Sequence, residues 1–316
     1  KAEAGGKGDI FRKAASTAVE YSKAEMAGHI PLGLRLRFAV LDKLVLSKLR
    51  AALGGRCEYA ISGSAPLGDR LGHFFHALGL VVLEGYGLTE TTAPISINLP
   101  SKFKIGTVGP ALPGCGVRLG DDGEIEARGV NIFHGYWKNP EATAKEFDGE
   151  WFKTGDIGTI DDDGYITITG RKKEIIVTAG GKNVAPSYLE DPIRATPVIG
   201  QVVVVGDQKP FISALITLDP EMLPTWLANK KLDASMSVAD AAKNPEVIAA
   251  VQEAVDRANA RVSRAESIRK FTILPIEFTE ASGHLTPKMS IKRNIIVQDF
   301  HDEIEAMYAH EHQPGE

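Results

Sequence analysis

Five consecutive residues, Tyr86-Gly87-Leu88-Thr89-Glu90, put an aromatic ring, a hydroxyl and a carboxylate into one short loop. A ring can stack on a purine, and a threonine hydroxyl can donate to a phosphate oxygen. A carboxylate can hold Mg2+, which takes oxygen ligands and usually keeps substrate phosphates among them. The same residues fit a buried tyrosine beside a capping threonine equally well. Farther on, Thr154-Gly155-Asp156 sits between Phe152 and Ile157. Its carboxylate accepts only, so it suits a vicinal diol, although an ordinary turn aspartate reads the same way. A third piece joins Gly170-Arg171-Lys172-Lys173-Glu174 to Gly180-Gly181-Lys182-Asn183-Val184-Ala185-Pro186. Its glycines let backbone approach a ligand closely; two plain turns flanking a strand would use them as well.

The elements that must position these groups follow from periodicity. From Ile10 to about Leu53 the pattern is helical, with Leu34, Phe38, Leu41, Val45 and Leu49 on one stripe. Between Leu34 and Arg56 stand six basic residues and one acid. Such a helix is either a solvated surface helix or one lying on an anionic membrane. A strand over 58–62, a helix over 67–78 and a strand from Val81 give the βαβ rhythm of a parallel sheet, whose strand ends are where ligands bind. From Gly106 short strands follow, with hairpin turns at Asp121-Asp122-Gly123 and Asp161-Asp162-Asp163-Gly164. The triple aspartate lacks the other ligands of a calcium loop. Asn139-Pro140-Glu141 reads as the cap and first turn of a short helix. After Lys173 come a strand, the Gly180 loop, a helix opened by Pro186, a hairpin over 201–218, a long helix from Asn244-Pro245, a strand near 271–278 and a final helix carrying Ile295, Phe300, Ile304 and Met307.

Composition narrows the function classes. The chain has 316 residues, 43% hydrophobic and 24% charged, with 36 Lys+Arg against 41 Asp+Glu. A net charge of -5 argues against a dedicated nucleic-acid binder. Two cysteines, Cys57 and Cys115, cannot make a disulfide scaffold or a cysteine zinc site, and a reducing, cytoplasmic setting is the expectation. No apolar run is long enough to span a bilayer. There is no Walker phosphate loop and no nucleophile elbow, and Gly114-Cys115-Gly116 is not followed by a helix as a dinucleotide fingerprint would be.

Taken in order, the motifs resemble the AMP-forming acyl-CoA synthetases of the adenylate-forming superfamily, in the long-chain fatty-acid branch. The resemblance rests on Ser62-Gly63-Ser64-Ala65-Pro66-Leu67, Glu84 to Glu90, Gly106-Thr107-Val108-Gly109, Gly135 to Thr143, Trp151 to Asp156 and Asp163 to Glu174. The stretch Thr178 to Pro186 is particularly like the long-chain branch. It implies an α/β and α+β architecture: residues 1–172 as the carboxyl-terminal part of a large AMP-binding domain, with a βαβ sheet and a β-rich subdomain, and 173–316 as a small mobile domain hinged at Lys173.

The resemblance also implies roles. Gly63, Ser64, Ala65, Pro66, Gly85 and Gly87 would border an adenine on which Tyr86 stacks. Thr89 would touch phosphate and Glu90 would hold Mg2+. Asp156, helped by Arg171, would take the ribose hydroxyls, and Gly180 and Gly181 would lie along the pantetheine channel. The implied substrates are a fatty acid, ATP and CoA, joined through acyl-AMP. A ligase delivering to a carrier protein and a non-catalytic nucleotide-binding fragment are the alternatives; a homodimer and a peripheral contact with the inner face of the membrane stay open.

Two departures stand out. The family's Ser/Thr/Gly-rich phosphate loop is not among these residues, so the sequence is read as a truncated one that begins at Lys1. The family's carboxyl-terminal catalytic lysine falls on Ser290 in a gapless match to Thr286-Pro287-Lys288-Met289-Ser290-Ile291-Lys292-Arg293. If that segment is extended, Lys288 and Lys292 share the face of position 290 and either could stabilise charge on the α-phosphate, Lys288 being preferred.

Overall fold

A computed structural model describes residues 8–287 and 289–309. The chain divides into two compact units, with the boundary between Lys172 and Lys173.

The first unit opens with α1 (Gly8–Met26) and α2 (Leu32–Leu41), which runs through a π-helical turn, Asp42–Leu46, into α3 (Ser47–Ala52). The helical region expected over 10–53 is therefore interrupted, because Gly28 at φ 79° and Pro31 stop one helix and start the next. Leu41 and Leu46 are buried against Ala14, Ala18 and Leu78, with Phe38, Val45 and Leu49 packed around them, so the apolar stripe faces inward as expected. Next come β1 (Tyr59–Ser62), α4 (Asp69–Ala77), β2 (Val81–Leu88) and β3 (Ala93–Ile97). Strands β1 and β2 pair in parallel across α4, the βαβ unit, while β3 returns antiparallel to β2.

A second sheet holds β4 (Cys115–Leu119), β5 (Glu124–Gly129), then, after α5 (Pro140–Lys145), β6 (Phe147–Asp148), β7 (Trp151–Ile160) and β8 (Ile166–Arg171), all antiparallel. The Asp121-Asp122-Gly123 turn joins β4 to β5 and the triple aspartate joins β7 to β8, its Asp161 and Asp163 both gripping Lys104 at 2.8 and 2.6 Å. Helix α5 starts as its sequence says it should: Asn139 Oδ1 accepts from the Ala142 amide and Pro140 needs no partner.

The second unit contains β9 (Ile176–Val177), β10 (Asn183–Val184), α6 (Ser187–Arg194), β11 (Ile199–Val205), β12 (Ile212–Leu218), α7 (Leu223–Asn229), α8 (Val238–Ala241), α9 (Pro245–Asn259), β13 (Ile268–Ile273), α10 (Arg293–Asp299) and α11 (His301–Tyr308). Every residue of β12 is buried, since β11 and β13 flank it and helices cover both faces. Alternation sorts the side chains: Val202, Val204, Ala214 and Ile216 pack with α6 and α9, whereas Val203, Val205 and Leu215 pack with α10 and α11. The expected final helix is split at Phe300 into α10 and α11.

Candidate functional site

Strand β7 alternates, with Phe152, Thr154, Asp156 and Gly158 turned inward. This alternation carries the Asp156 carboxylate into the first unit, where only 4% of the residue is exposed. A bulge sits at the same point: the pairing to β5 shifts between Glu124 and Glu126, and Gly155 takes φ 73°. Its amide turns out of the ladder to Glu124 Oε1 at 2.8 Å. Glycine is required there by the left-handed backbone.

Asp156 faces Arg171 across the β7–β8 pairing, and the guanidinium Nε lies 3.3 Å from Asp156 Oδ1. On its other side the Tyr86 hydroxyl donates to Oδ2 at 2.6 Å. Burial, and then the Asp156 charge, push the Tyr86 phenol well above its ordinary value, so it stays a donor at any physiological pH. A ring, an acceptor and a cation expected from three separate motifs thus meet in one cluster.

Tyr86 is held by β2, which is bulged between Tyr86 and Gly87. A Cβ at Gly87 would stand 1.9 Å from the Ala93 carbonyl oxygen, so only glycine allows β2 and β3 to close here. Upstream, the buried Glu84 carboxylate accepts from the Leu67 amide at 3.1 Å and anchors the loop carrying Gly63, Ser64, Ala65 and Pro66 beside Gly85. Burial raises the Glu84 carboxyl above the usual range, partly offset by that amide. Ser64 adopts φ 68°, and all four loop residues are exposed.

Thr89 begins a 3-10 turn and is exposed, with no hydrogen bond from its hydroxyl to the described residues. Its neighbours are committed elsewhere: Thr91 Oγ1 bonds the Leu88 amide and Ala93 oxygen, and Thr92 Oγ1 donates to Asn131. Glu90 is half-buried and accepts from the Tyr136 hydroxyl at 3.0 Å. That contact, after burial, pushes the Tyr136 phenol up to about 12. Tyr136 was not picked out from sequence as a site residue, although its Gly-Tyr-Trp-Lys motif was. Lys172 was missed too. It bridges Asp122 Oδ2 at 2.6 Å and Glu124 Oε2 at 2.7 Å, bracing the carboxylate that orients the Gly155 amide.

In the second unit, Gly180 and Gly181 form the exposed tip of the β9–β10 hairpin, with Gly181 at φ 76°. Lys173 is exposed in a 3-10 turn at the start of the unit. Lys288 lies outside the described residues. The segment around it is not extended: Leu285 bridges Ile291, the Met289 amide donates to Thr286 at 2.8 Å, and Met289 takes φ 62°. The premise that residues two apart share a face fails in this turn. Lys292 caps α10, its amide bonded to the His284 oxygen at 2.8 Å. The next residue, Arg293, grips the buried Glu190 through Nη2 at 2.7 and 2.9 Å and the Val204 oxygen through Nη1 at 2.8 Å, which ties the segment to β11 and α6.

The profile of the family described as AMP-binding enzyme matches residues 12–137, and that described as AMP-binding enzyme C-terminal domain matches residues 173–312. The chain is 56% identical over 303 residues to the long-chain-fatty-acid–CoA ligase FadD15 of Mycobacterium bovis, covering 96% of this chain and 50% of that protein. It is 33% identical to the long-chain-fatty-acid–CoA ligase ACSBG2 of Xenopus laevis, over 97% of this chain and 45% of that protein. Among solved structures, the adenylation domain of a carboxylate reductase from Mycobacterium chelonae superposes with a TM-score of 0.67 at 23% identity, covering 94% of this chain and 45% of that one. The chain thus spans about half the length of the curated relatives it matches. On the two profiles, which together match residues 12–137 and 173–312, the chain belongs to the AMP-binding enzymes.

Proposed function

We propose that the protein activates a long-chain fatty acid with ATP and passes it to CoA. The observation that carries this reading is the 56% identity to a ligase named for that reaction. In the first step a carboxylate oxygen bonds the α-phosphorus, and the bond from that phosphorus to the bridging oxygen breaks, releasing pyrophosphate. In the second the CoA sulfur bonds the acyl carbon, AMP leaves, and the thiol proton goes to solvent. Catalysis of both steps is mostly positioning and charge neutralisation.

The first unit supplies a nucleotide platform in this reading. Tyr86 stacks on the adenine with the loop 63–66 and Gly85 along its edge. Asp156 takes the ribose hydroxyls, beside Arg171, and Thr89 donates to a phosphate oxygen. Mg2+ fits as an ion shared with substrate: among the described residues no group of three or more His, Cys, Asp and Glu could hold a metal, so Glu90, steadied by Tyr136, would act with phosphate oxygens. The ion would supply neutralisation of phosphate charge. In the second unit, Gly180 and Gly181 border the CoA thiol's approach, Lys173 is the hinge, and Lys288 or Lys292 serves the α-phosphate. No helix among the described residues is long and apolar enough to cross a membrane, and the reading sets the reaction in the cytoplasm.

The test uses the protein from its full natural reading frame, with ATP, MgCl2, a long-chain fatty acid and CoA. AMP and acyl-CoA should appear together, and Glu90→Ala should lower the rate by about a hundredfold. Acyl transfer to a carrier protein but not to CoA would overturn the second step; undiminished turnover of Glu90→Ala would overturn the role of that carboxylate.

A further inference from the structure

At the bulge in β7, side chains replace the ladder. The Gly155 amide donates to Glu124 Oε1 at 2.8 Å, and the Asp156 amide donates to Thr154 Oγ1 at 3.2 Å. The Thr154 hydroxyl donates in turn to the Ile125 oxygen at 2.7 Å, so it is itself fixed. The two peptide groups flanking Gly155 therefore have their amides held by side chains. Glycine has the widest choice of backbone angles, and this one stands at φ 73°. What holds its two peptides decides where the Asp156 carboxylate points.

Of the two holders, Glu124 is the one that needs help. It is buried, at 4% exposure, and a carboxylate taken out of water needs a cation. Lys172 is that cation. Its Nζ lies 2.7 Å from Glu124 Oε2 and 2.6 Å from Asp122 Oδ2. Asp122 closes the network from the other side, its Oδ1 accepting from the Glu124 amide at 3.1 Å. Each carboxylate thus holds an amide with one oxygen and Lys172 with the other. The bonds to Asp122 and then Glu124 hold the Lys172 ammonium above its ordinary value, and Lys172 holds the Asp122 carboxyl below its own. Arg171 and Lys172 are neighbours with different tasks: Arg171 lies 3.3 Å from Asp156 itself, whereas Lys172 reaches it through Glu124 and the Gly155 amide.

We propose that Lys172 is a positioning residue for the ribose, fixing the direction of the Asp156 carboxylate through Glu124 and the Gly155 amide without touching the nucleotide. The proposal rests on the reading in which Asp156 takes the two ribose hydroxyls. Without Lys172 the Glu124 carboxylate turns towards water, Gly155 loses its acceptor, and Asp156 no longer presents both oxygens to a vicinal diol. Stacking on Tyr86 and contacts to phosphate persist, so the loss is confined to the sugar.

Calorimetric titration of the protein from its full natural reading frame, with AMP and with 2′,3′-dideoxy-AMP, tests this. The wild type should prefer AMP by about tenfold or more. Lys172→Met should weaken AMP binding by about tenfold and leave binding of the dideoxy nucleotide within about twofold. Lys172→Arg, whose fork can bridge the same two carboxylates, should restore AMP affinity to within about threefold. Glu124→Gln keeps the size of the side chain but turns an amide NH2 towards one of its two donors. It should show the same sugar-specific loss, and it gives an independent reading if Lys172→Met misfolds. A wild type that prefers AMP, with Lys172→Met either undiminished or weakened for both nucleotides alike, would overturn the proposal alone. Equal wild-type affinity for the two nucleotides would overturn the ribose role of Asp156, and this proposal with it.

Discussion

The Tyr86 hydroxyl and the Asp156 carboxylate are 70 residues apart in sequence and 2.6 Å apart in the fold. The bond joins the βαβ sheet to the antiparallel sheet at the point where the nucleotide is proposed to sit. The ribose of the proposed complex would compete for the same oxygen that Tyr86 now holds. Tyr86→Phe should therefore cost the apo protein about 1 kcal/mol, one hydrogen bond's net worth, and, by removing that competitor, tighten AMP binding by up to about threefold. Asp156→Asn should weaken AMP binding by about tenfold or more, since charge-assisted bonds are the stronger ones. Calorimetric titration with AMP, beside thermal denaturation, measures both.

Gly87→Ala tests the closure of β2 on β3. An added methyl would overlap the Ala93 carbonyl, a backbone atom that cannot rotate away. The expected loss is about 3 kcal/mol or more, or failure of the first unit to fold. Gly180→Ala, where nothing but the Thr178 side chain comes within 4 Å, should change the urea midpoint little by comparison.

The ion pair between Arg293 and Glu190 is the buried anchor of the second unit. Arg293→Met would leave a carboxylate whose pKa burial already raises without its cation. The cost should be about 3–5 kcal/mol in urea unfolding. Replacing both partners by apolar residues of similar size should recover much of it, and failure to recover would point to the Val204 contacts instead.

Much of this was legible from sequence, and the failures have physical reasons. The cap at Asn139 and the turn at Asp121 are local signals, and both appear where their residues placed them; the tight turn expected at Asp156 is instead the middle of β7, where Gly155 bulges a continuous strand. The exposure of Leu32, Leu36, Val40 and Leu44 was not anticipated, because a leucine at a helical period reads as core. Tyr136 and Lys172 were missed because each acts on a partner far away in sequence, which no periodicity encodes. The segment around Ser290 was taken as extended; instead Leu285 bridges Ile291, a pairing across the segment that its residue pattern does not announce.

Ser22 gives a pH test. It is fully buried between α1 and α4, and its hydroxyl lies 2.9 Å from Nδ1 of both His73 and His76. Burial, then Lys23, lowers the His73 pKa from 6.5, so the fold favours the neutral ring. The unfolded chain then binds more protons just below that value, and stability falls as pH drops through 6.5 towards the lower folded pKa. The melting midpoint should decline more steeply over that window in the wild type than in His73→Asn, which keeps a hydrogen-bonding group near Nδ1.

Among the described residues strand β1 pairs with β2 alone, and its Ile61 is 76% exposed. An open, apolar strand edge is a template on which another extended chain can add. Ile61→Lys should raise the concentration at which the protein stays dispersed, read by light scattering, without moving its melting point.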